Sequence, residues 1–334
     1  MTILVTGGAG YIGSHAVVKL LEAHEDVVVI DNLCNSNPDV FDRIQSITNK
    51  SAKFIQGDVR DSVFLKEIFA KFNISAVLHF AGLKSVQEST ENPDIYFDNN
   101  VKGSEILLNE MSLAGVKSIV FSSSATVYGN PFFLPYTEQH PLNPINTYGE
   151  TKLLVEKALN ILANQDKTWR VMILRYFNPV GAHPSGLIGE NPKGTPNNLM
   201  PFVSQVAAGK LPYVSIFGND YETPDGTGVR DYLHIEDLAN GHLAALNYIR
   251  ENTGAHTLNL GTGKGTSVLE LIKAFEKACD KKIDVQFRSR RQGDLASYWA
   301  DARKAKEVLN WSAQLDINDM CEDMWRWEMK NSKD

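Results

Sequence analysis

The sequence has few of the features that mark secreted or membrane proteins. Its three cysteines, Cys34, Cys279 and Cys321, are far apart and form no C-x-x-C motif, so they predict neither a disulfide framework nor a zinc site. It contains no run of about 18 apolar residues, as a membrane span would need. The start "MTILVTGGAG" also lacks a basic stretch followed by a long apolar run. We therefore expect a cytoplasmic protein without a signal peptide or a membrane span.

The sequence also has no excess of basic residues over acidic ones. The 33 Lys and Arg residues are outnumbered by 40 Asp and Glu residues, which gives a net charge of −7. This balance argues against a nucleic-acid or anionic membrane surface as the main partner, so a small anionic ligand must be held by specific arginines and lysines. His234 and His242 do not have metal-ligand spacing, and we expect no metal site.

The first half of the chain alternates short apolar runs with longer amphipathic ones. "ILVT", "VVVID", "AKFIQGD", "AVLHFAG", "KSIVFSSS" and "WRVMILRYF" read as strands. Helices are predicted between them, including one from about Pro93 to Ala114 and one that begins near Tyr148. This alternation is typical of an α/β fold with a doubly wound parallel sheet, the Rossmann arrangement.

The composition changes after Phe177. Residues Asn178–Asn198 are rich in Gly, Pro and Asn, which predicts irregular loops instead of sheet, and a helix is predicted near 197–208. We expect a dinucleotide-binding domain at 1–177, with a return segment near 235–260. We expect 178–334 to form mainly a smaller, substrate-binding α/β lobe over the carboxyl edge of the sheet, where such folds bind ligands.

A glycine-rich turn follows the first predicted strand. Gly7, Gly10 and Gly13 stand at three-residue intervals before a predicted helix, where glycines let a pyrophosphate approach the helix N-terminus. Asp31 ends the next strand, 18 residues past Gly13, where a carboxylate should meet the ribose hydroxyls of the adenosine. Because that carboxylate would repel a 2′-phosphate, NAD is favoured over NADP.

Later strand ends add further candidates for the dinucleotide site. Asp58 closes the third strand, where it could receive the adenine amino group. Phe80, Ala81 and Gly82 end the fourth strand beside the expected pyrophosphate. Lys84 follows them and is either a cation for that pyrophosphate or an ordinary solvated surface charge.

A serine run and a tyrosine–lysine pair form the catalytic candidate. Ser122–Ser124 end a predicted strand, and Tyr148 stands 24 residues past Ser124 at the start of a predicted helix. Lys152 is four residues past Tyr148, on the same helix face. A free phenol with a pKa of about 10 is a poor base near neutral pH unless positive charge stabilises the phenolate, and the lysine can supply that charge.

These features together resemble the extended short-chain dehydrogenase/reductases. The segments "FAGLKSVQES", "SSSATVYG", "LRYFNPVGAHPSG", "PNNLMP", "IFGNDY", "DGTGVRDY" and "GDLASYWAD" further resemble the UDP-glucose 4-epimerase family, over nearly the whole chain. The resemblance implies an isomerase that interconverts UDP-galactose and UDP-glucose through a 4-keto sugar while NAD stays bound. It also implies a homodimer paired through the helices near 93–114 and 148–164.

The resemblance assigns roles to individual residues. Tyr148 resembles the base, Ser124 the residue that hydrogen-bonds the reacting oxygen, and Lys152 the cation beside the phenol. Residues that resemble those holding NAD are Gly7, Gly10, Tyr11, Ile12, Gly13, Asp31, Asn32, Asn35, Ser36, Asp58, Val59, Phe80, Ala81, Gly82, Lys84, Asn99, Ser122, Tyr148, Lys152 and Tyr176. Residues that resemble those lining the UDP-sugar site are Ser124, Tyr148, Asn178, Asn198, Leu199, Phe217, Arg230, Arg291, Asp294 and Tyr298.

Within the UDP-sugar set, Arg230 and Arg291 resemble the pair that clamps the diphosphate, and Asp294 the partner of the ribose. Tyr298 resembles the residue that borders the sugar's 2-substituent, where an aromatic ring would exclude an N-acetyl group. The alternative is that Tyr298 is a core aromatic residue. Glu150, between Tyr148 and Lys152, departs from the small or basic residue of many relatives, and we expect it to face solvent.

Two other functions compete with the epimerase. A 4,6-dehydratase of the same superfamily would need an acid and a base. Dehydratases place Asp-Glu after the strand-end serine or threonine, whereas Ala125 and Thr126 stand there. A non-catalytic NAD-sensing protein could have the same fold. Such proteins typically lose the tyrosine or the lysine, so the presence of Ser124, Tyr148 and Lys152 together favours an enzyme.

Overall fold

The computed structural model describes residues 1–191, 198–291 and 293–331. The strands in these ranges are, in chain order, β1 (Thr2–Thr6), β2 (Asp26–Asp31), β3 (Lys53–Gln56), β4 (Ile74–His79), β5 (Ser118–Ser124), β6 (Arg170–Tyr176), β7 (Asn178–Val180), β8 (Val214–Phe217), β9 (Val229–Arg230), β10 (Tyr232–His234), β11 (Gly254–Leu260), β12 (Thr266–Ser267), β13 (Val285–Arg288) and β14 (Ser297–Tyr298).

The helices of the same ranges are α1 (Tyr11–Glu22), α2 (Val40–Thr48), α3 (Ser62–Lys71), α4 (Val86–Glu91), α5 (Pro93–Tyr96), α6 (Gly103–Leu113), α7 (Thr147–Gln165), α8 (Leu199–Ala207), α9 (Ile235–Glu251), α10 (Val268–Cys279), α11 (Arg303–Leu309) and α12 (Ile317–Asn331). A π-helical stretch, Phe97–Lys102, joins α5 to α6, and a short 3₁₀ turn, Ala125–Val127, follows β5. Within the described residues, no helix combines the length and the apolar character needed to cross a membrane.

The central sheet has seven parallel strands in the order β11-β6-β5-β4-β1-β2-β3. Its inner strands are apolar along their length because helices cover both faces, as in other parallel sheets. Ile3 and Val5 of β1 point into one core, which α1, α2 and α9 complete. Leu4 points into the opposite core, which α3, α6 and α7 complete. The predicted doubly wound α/β class is confirmed.

The strand β11 joins the sheet late in the chain. It pairs with β6 in parallel, with Gly254 opposite Arg170 and Leu260 opposite Tyr176. The preceding helix, α9, packs against α1 on the first face of the sheet. The chain thus returns to the central sheet after it has entered the region beyond residue 177.

The region beyond β6 builds its own smaller core. The helices α8, α10 and α12 enclose buried side chains such as Met200, Phe275 and Met324. Short strand pairs, β7 with β10 and β8 with β13, contribute side chains to this core, and the same region contains the three-stranded sheet β12-β9-β14. Because β7 starts two residues after β6 ends, this part of the chain starts from the carboxyl edge of the central sheet.

Two expectations about local structure were wrong. Asn178–Val180 is a strand paired with β10, although Asn178–Asn198 was predicted to be irregular. The helix predicted from Pro93 to Ala114 is interrupted by the π-helical stretch, where the side chain of Asn100 turns inward and donates to Leu83 O at 2.9 Å. In both places a contact with a residue outside the local segment accompanies the backbone conformation that the local pattern did not predict. The helix predicted near 197–208 is α8, and residue 197 lies outside the described residues.

Candidate active site

The sequence-predicted residues converge at the carboxyl edge of the central sheet. This edge carries the turn after β1, Asp31 at the end of β2, the segment after β4, Ser124 at the end of β5 and Tyr176 at the end of β6. In a parallel sheet such ends form one continuous crevice, and ligands bind there at the point where the strand order reverses. Here that point lies between β1 and β4.

The glycine turn is held close to the β4 end. Gly7 has φ +69°, and a Cβ atom at this position would lie 2.6 Å from the Ala81 nitrogen, so no other residue fits. Gly10 is the N-cap of α1, and no side chain caps this helix end. The first backbone N–H groups of α1 are therefore available to an anion, and the helix dipole favours negative charge there.

Asp31 is fixed by the residues around it. Its carboxylate accepts from Ala9 N at 3.0 Å, from Leu33 N at 2.8 Å and from Ser36 Oγ at 2.9 Å. Each carboxylate oxygen can accept about two hydrogen bonds, so these three donors leave capacity for a hydroxyl. The predicted residues Asn35 and Ser36 lie in the loop after β2, with Asn35 exposed.

Asp58 has a basic partner that sequence reasoning missed. Arg60 binds its carboxylate at 2.8 Å and also binds Asp98 at 2.7 Å. Asn32 Nδ2 donates to Asp58 at 2.9 Å. The Arg60 hydrogen bond, reinforced by that of Asn32, holds the pKa of Asp58 far below its usual range. Val59, which stands between Asp58 and Arg60 in the sequence, is buried in the core.

The catalytic candidates lie where the start of α7 packs against the end of β5. Asn146 caps α7 by accepting from Gly149 N at 2.8 Å, and Tyr148 N donates to Ser89 Oγ at 3.1 Å, which fixes where the helix starts. A Cβ atom at Gly149 would lie 2.7 Å from Thr126 O, so only glycine lets α7 approach the end of β5 this closely. The Tyr148 phenol thereby lies beside Ser124, whose side chain acts to lower the pKa of the phenol.

Thr126 orients the Ser124 hydroxyl. Ser124 Oγ accepts from Thr126 N at 3.2 Å and from Thr126 Oγ1 at 2.9 Å. A serine oxygen has two lone pairs, and both are used in this way. The hydroxyl proton of Ser124 is then available for donation to a neighbouring oxygen, such as that of Tyr148.

Lys152 lies beneath the phenol. Its Nζ donates to Ser122 O at 2.8 Å and is 5.8 Å from the centroid of the Tyr148 ring. Ser122 Oγ shares a 2.6 Å hydrogen bond with the Tyr176 hydroxyl. Glu150 is exposed, as expected.

Burial shifts the pKa values of the tyrosine and the lysine in opposite directions. Burial raises the pKa of Tyr148 to about 12, and the hydrogen bond from Ser124 opposes this shift. Burial lowers the pKa of Lys152 to about 8, and the charge of Glu156 opposes this shift. Each group is pushed toward its neutral form because a buried charge is poorly solvated.

A second group of predicted residues includes Tyr298. Its hydroxyl donates to Asn178 Oδ1 at 3.1 Å, and the Arg230 guanidinium lies 4.6 Å from its ring centroid. Arg291 binds Asp294 at 2.9 Å and lies 4.8 Å from the Phe217 ring centroid. The charges of Arg230, Arg291 and Asp294 all act on Tyr221, so the predicted diphosphate and ribose residues share one neighbourhood.

The predicted residues Lys84 and Asn198 meet on Glu190, which the sequence reasoning did not consider. Glu190 Oε1 accepts from Lys84 Nζ and from Asn198 Nδ2, each at 2.6 Å. Lys84 is therefore neither a free surface charge nor an unopposed cation. Leu199 begins α8 and packs against the smaller core. Asn99 lies in the π-helical stretch and is partly buried.

In residues 1–191, 198–291 and 293–331, no three His, Cys, Asp or Glu side chains are arranged to hold a metal ion.

Residues 4–324 match the protein family described as GDP-mannose 4,6 dehydratase. The curated UDP-glucose 4-epimerase of Pasteurella multocida (strain Pm70) is 55% identical, covering 100% of this chain and 99% of that protein. The UDP-glucose 4-epimerase of Bacillus subtilis (strain 168) is 54% identical, covering 99% and 98% respectively.

Solved structures are similar over the same length. UDP-glucose 4-epimerase from Bifidobacterium longum, crystallised in complex with NAD⁺ and UDP, has a TM-score of 0.97 at 50% identity and covers 99% of each chain. UDP-glucose 4-epimerase from Stenotrophomonas maltophila, with bound NAD and formylated UDP-arabinopyranose, has a TM-score of 0.98 at 51% identity and covers 100% of this chain and 99% of that one. Full-length similarity in both sequence and fold shows that the chain belongs to the UDP-glucose 4-epimerase family, within the broader family named for GDP-mannose 4,6 dehydratase.

Proposed function

We propose that this protein interconverts UDP-galactose and UDP-glucose by inverting carbon 4 of the sugar, with NAD held throughout the reaction. The observation that carries the proposal is the contact of Tyr148 with Ser124 above the buried Lys152, at the same sheet edge as the uncapped start of α1. The dehydratase alternative lacks support at the site, because Ala125 and Thr126 follow Ser124 and Thr126 serves to orient it. The non-catalytic alternative has no support either, because the catalytic candidates are all present.

The residues at the sheet edge fit NAD. The uncapped N-terminus of α1 suits a pyrophosphate, and the Asp31 carboxylate has room for the ribose hydroxyls. The other proposed NAD residues would line the same crevice. When bound, NAD supplies the oxidant that takes the hydrogen from sugar carbon 4 and returns it.

Each catalytic side chain then has a defined task. The Tyr148 oxygen accepts the proton of the sugar 4-hydroxyl as the 4-keto sugar forms, and it returns that proton when carbon 4 is reduced on the opposite face. Ser124 donates toward the reacting oxygen. Lys152 places positive charge near the phenol, whose pKa burial raises to about 12 against the opposing effect of Ser124. The positive charge of a bound nicotinamide ring would lower that pKa further toward neutrality, where a general base works best.

The second lobe is proposed to hold the uridine diphosphate. Arg230 and Arg291 would pair with the diphosphate, Asp294 with the ribose, and Asn178, Asn198, Leu199 and Phe217 would line the sugar and the uridine. An acidic protein needs such a local cationic pocket to bind an anion. We further propose the division into a domain at 1–177, to which the segment near 235–260 returns, and a lobe at 178–334. The proposed compartment is the cytoplasm.

A single assay tests this function. Protein purified without added nucleotide should convert UDP-galactose to UDP-glucose, and after denaturation it should release about one NAD per chain. The reason is that a ketone intermediate must never meet an empty cofactor site. An enzyme that releases no nicotinamide nucleotide and depends on added NAD would contradict the mechanism.

Tyr298 is proposed to exclude N-acetylated sugars. Its ring contacts Asn178 and Arg230, two other proposed UDP-sugar residues. If it borders the sugar's 2-substituent, as the resemblance implies, it would fill the space that an acetamido group needs. We expect the wild-type protein to act well on UDP-glucose and poorly on UDP-N-acetylglucosamine. Tyr298→Ser should raise activity on the N-acetylated pair, measured as kcat/KM for each sugar.

The control for this prediction is Tyr298→Phe. It removes the hydrogen bond to Asn178 but keeps the ring, so the N-acetylated sugar should still be excluded. If the wild type uses both sugar pairs equally, or if the serine variant only loses stability, Tyr298 is a core aromatic residue.

The proposed homodimer pairs α5, α6 and α7 with their copies. Ile95, Leu113 and Ile161 lie on these helices and are among the exposed large apolar side chains of the described residues. Apolar side chains on neighbouring helices are typical of a protein interface. Light scattering at micromolar concentration should show particles of twice the 37.1 kDa chain mass; particles of the single-chain mass would argue against the dimer.

A further inference from the structure

Glu190 joins residues from the two proposed ligand sites. It lies between β7 and α8, and its side chain is only 6% exposed. The same oxygen, Oε1, accepts from Lys84 and from Asn198. Lys84 follows β4 in the proposed dinucleotide domain, whereas Asn198 precedes α8 in the proposed sugar-nucleotide lobe. One buried carboxylate therefore connects the two parts.

A third proposed ligand residue lies near this carboxylate. Tyr11 is the first residue of α1, directly after the glycine turn, and its hydroxyl donates to Gly181 O at 2.7 Å. Burial raises the pKa of Tyr11, and the charge of Glu190 raises it further. Tyr11, Lys84 and Asn198 were each proposed to hold a ligand, and Glu190 is the neighbour that they share.

The use of one oxygen couples the two donors. Hydrogen bonds from an ammonium and an amide to an ionised carboxylate are stronger than those between neutral groups. Because both donors converge on Oε1, a shift of either side chain changes the position that the other can take. Lys84 is also about half exposed, so without the carboxylate its long side chain would be free to adopt many rotamers.

We propose that Glu190 is a positioning residue that couples the NAD site to the UDP-sugar site by holding Lys84 and Asn198 on one carboxylate oxygen. The inference rests on the function proposed above. Glu190 does not act on the sugar itself. It holds Lys84 and Asn198 in the positions in which they contact NAD and the UDP-sugar. Binding of one ligand therefore affects binding of the other.

The first test uses Glu190→Gln in the NAD-loaded protein, with the Kd for UDP measured by calorimetry. Loss of the charge-assisted bonds should weaken UDP binding about tenfold. The KM for UDP-galactose should rise while kcat changes much less, because the catalytic side chains stay in place. The Tm should remain close to that of the wild type.

The matched control is Glu328→Gln. Glu328 binds Lys210 at 2.8 Å, with side-chain exposures of 47% for the lysine and 8% for the glutamate, against 48% and 6% for Lys84 and Glu190. Both glutamates border the same cavity, but Lys210 and Ser204, which also binds Glu328, both belong to the second lobe. Glu328→Gln should leave the Kd for UDP unchanged.

The second test measures the coupling directly. Lys84→Met and Asn198→Ala are combined in a double-mutant cycle, with the Kd for UDP as the readout. Their effects should depart from additivity by about threefold or more, and should become additive when Glu190 is replaced by glutamine.

These outcomes separate the inference from the function on which it rests. An unchanged Kd for UDP in Glu190→Gln, or additive effects in the wild-type background, would overturn the role of Glu190 while UDP binding and epimerisation remain. Equal losses of UDP binding in Glu190→Gln and Glu328→Gln would also overturn it, because they would indicate a general structural effect. Wild-type protein that does not bind UDP would instead refute the proposed function.

Discussion

Replacing Tyr148 with phenylalanine is expected to lower turnover of UDP-galactose by about 10²–10⁴-fold, the usual contribution of a general base. The substitution removes only the hydroxyl that contacts Ser124, so the packing of α7 against the end of β5 is preserved. The Kd for UDP should change little, because the proposed diphosphate residues lie in the second lobe. Steady-state kinetics and calorimetry on the same preparation measure both quantities.

Tyr248→Phe provides the control for this substitution. Tyr248 is a partly buried tyrosine of α9 that packs edge-on against His256, away from the carboxyl edge of β5. Its removal should leave turnover unchanged. Near-normal turnover of Tyr148→Phe would remove Tyr148 from the role of base.

Replacing Arg175 with methionine is expected to lower the free energy of unfolding by about 3–5 kcal/mol, the usual cost of leaving one partner of a buried ion pair alone. Arg175 Nη2 binds Glu156 Oε2 at 2.6 Å, and the two side chains are 6% and 2% exposed. Glu156 also accepts from Ser123 Oγ at 2.5 Å. The pair thus ties α7 to β5 and β6, one helical turn after Lys152. Urea denaturation measures the loss.

Two further variants show whether burial of the pair causes this loss. Arg303→Met removes an arginine that is 84% exposed and bound to Asp301, and it should leave the free energy of unfolding unchanged. The double variant Arg175→Met with Glu156→Leu should be more stable than Arg175→Met alone, since no buried charge is left without a partner. If Arg175→Met changes the free energy of unfolding as little as Arg303→Met does, the buried pair does not stabilise the fold.

Tyr148→Phe and Arg175→Met are expected to affect the protein in different ways. Tyr148→Phe removes a chemical group and should leave the fold intact, whereas Arg175→Met removes a structural partner behind the catalytic strand. Comparing kcat with the free energy of unfolding in both variants therefore separates the chemistry from the support that positions it.

The sequence by itself determined the features that depend on local pattern. Short apolar runs alternating with amphipathic ones predict a doubly wound parallel sheet, because strand and helix periods differ and neighbouring units pack in one sense. Gly7 and Asp31 follow from the short spacing within one strand–helix–strand unit. Tyr148 and Lys152 follow from the helical period, since residues four apart share a face. Each of these inferences spans at most a few dozen residues.

The tertiary structure alone decided how distant segments meet. Lys84 and Glu190 are 106 positions apart, and Tyr298 and Asn178 are 120 apart. No periodicity links such residues, because their contact depends on how whole strands and helices pack. The same reason explains why the π-helical break at Asn100 and the strand at Asn178 were missed. Local pattern determined the elements, and long-range packing determined which side chains share a site.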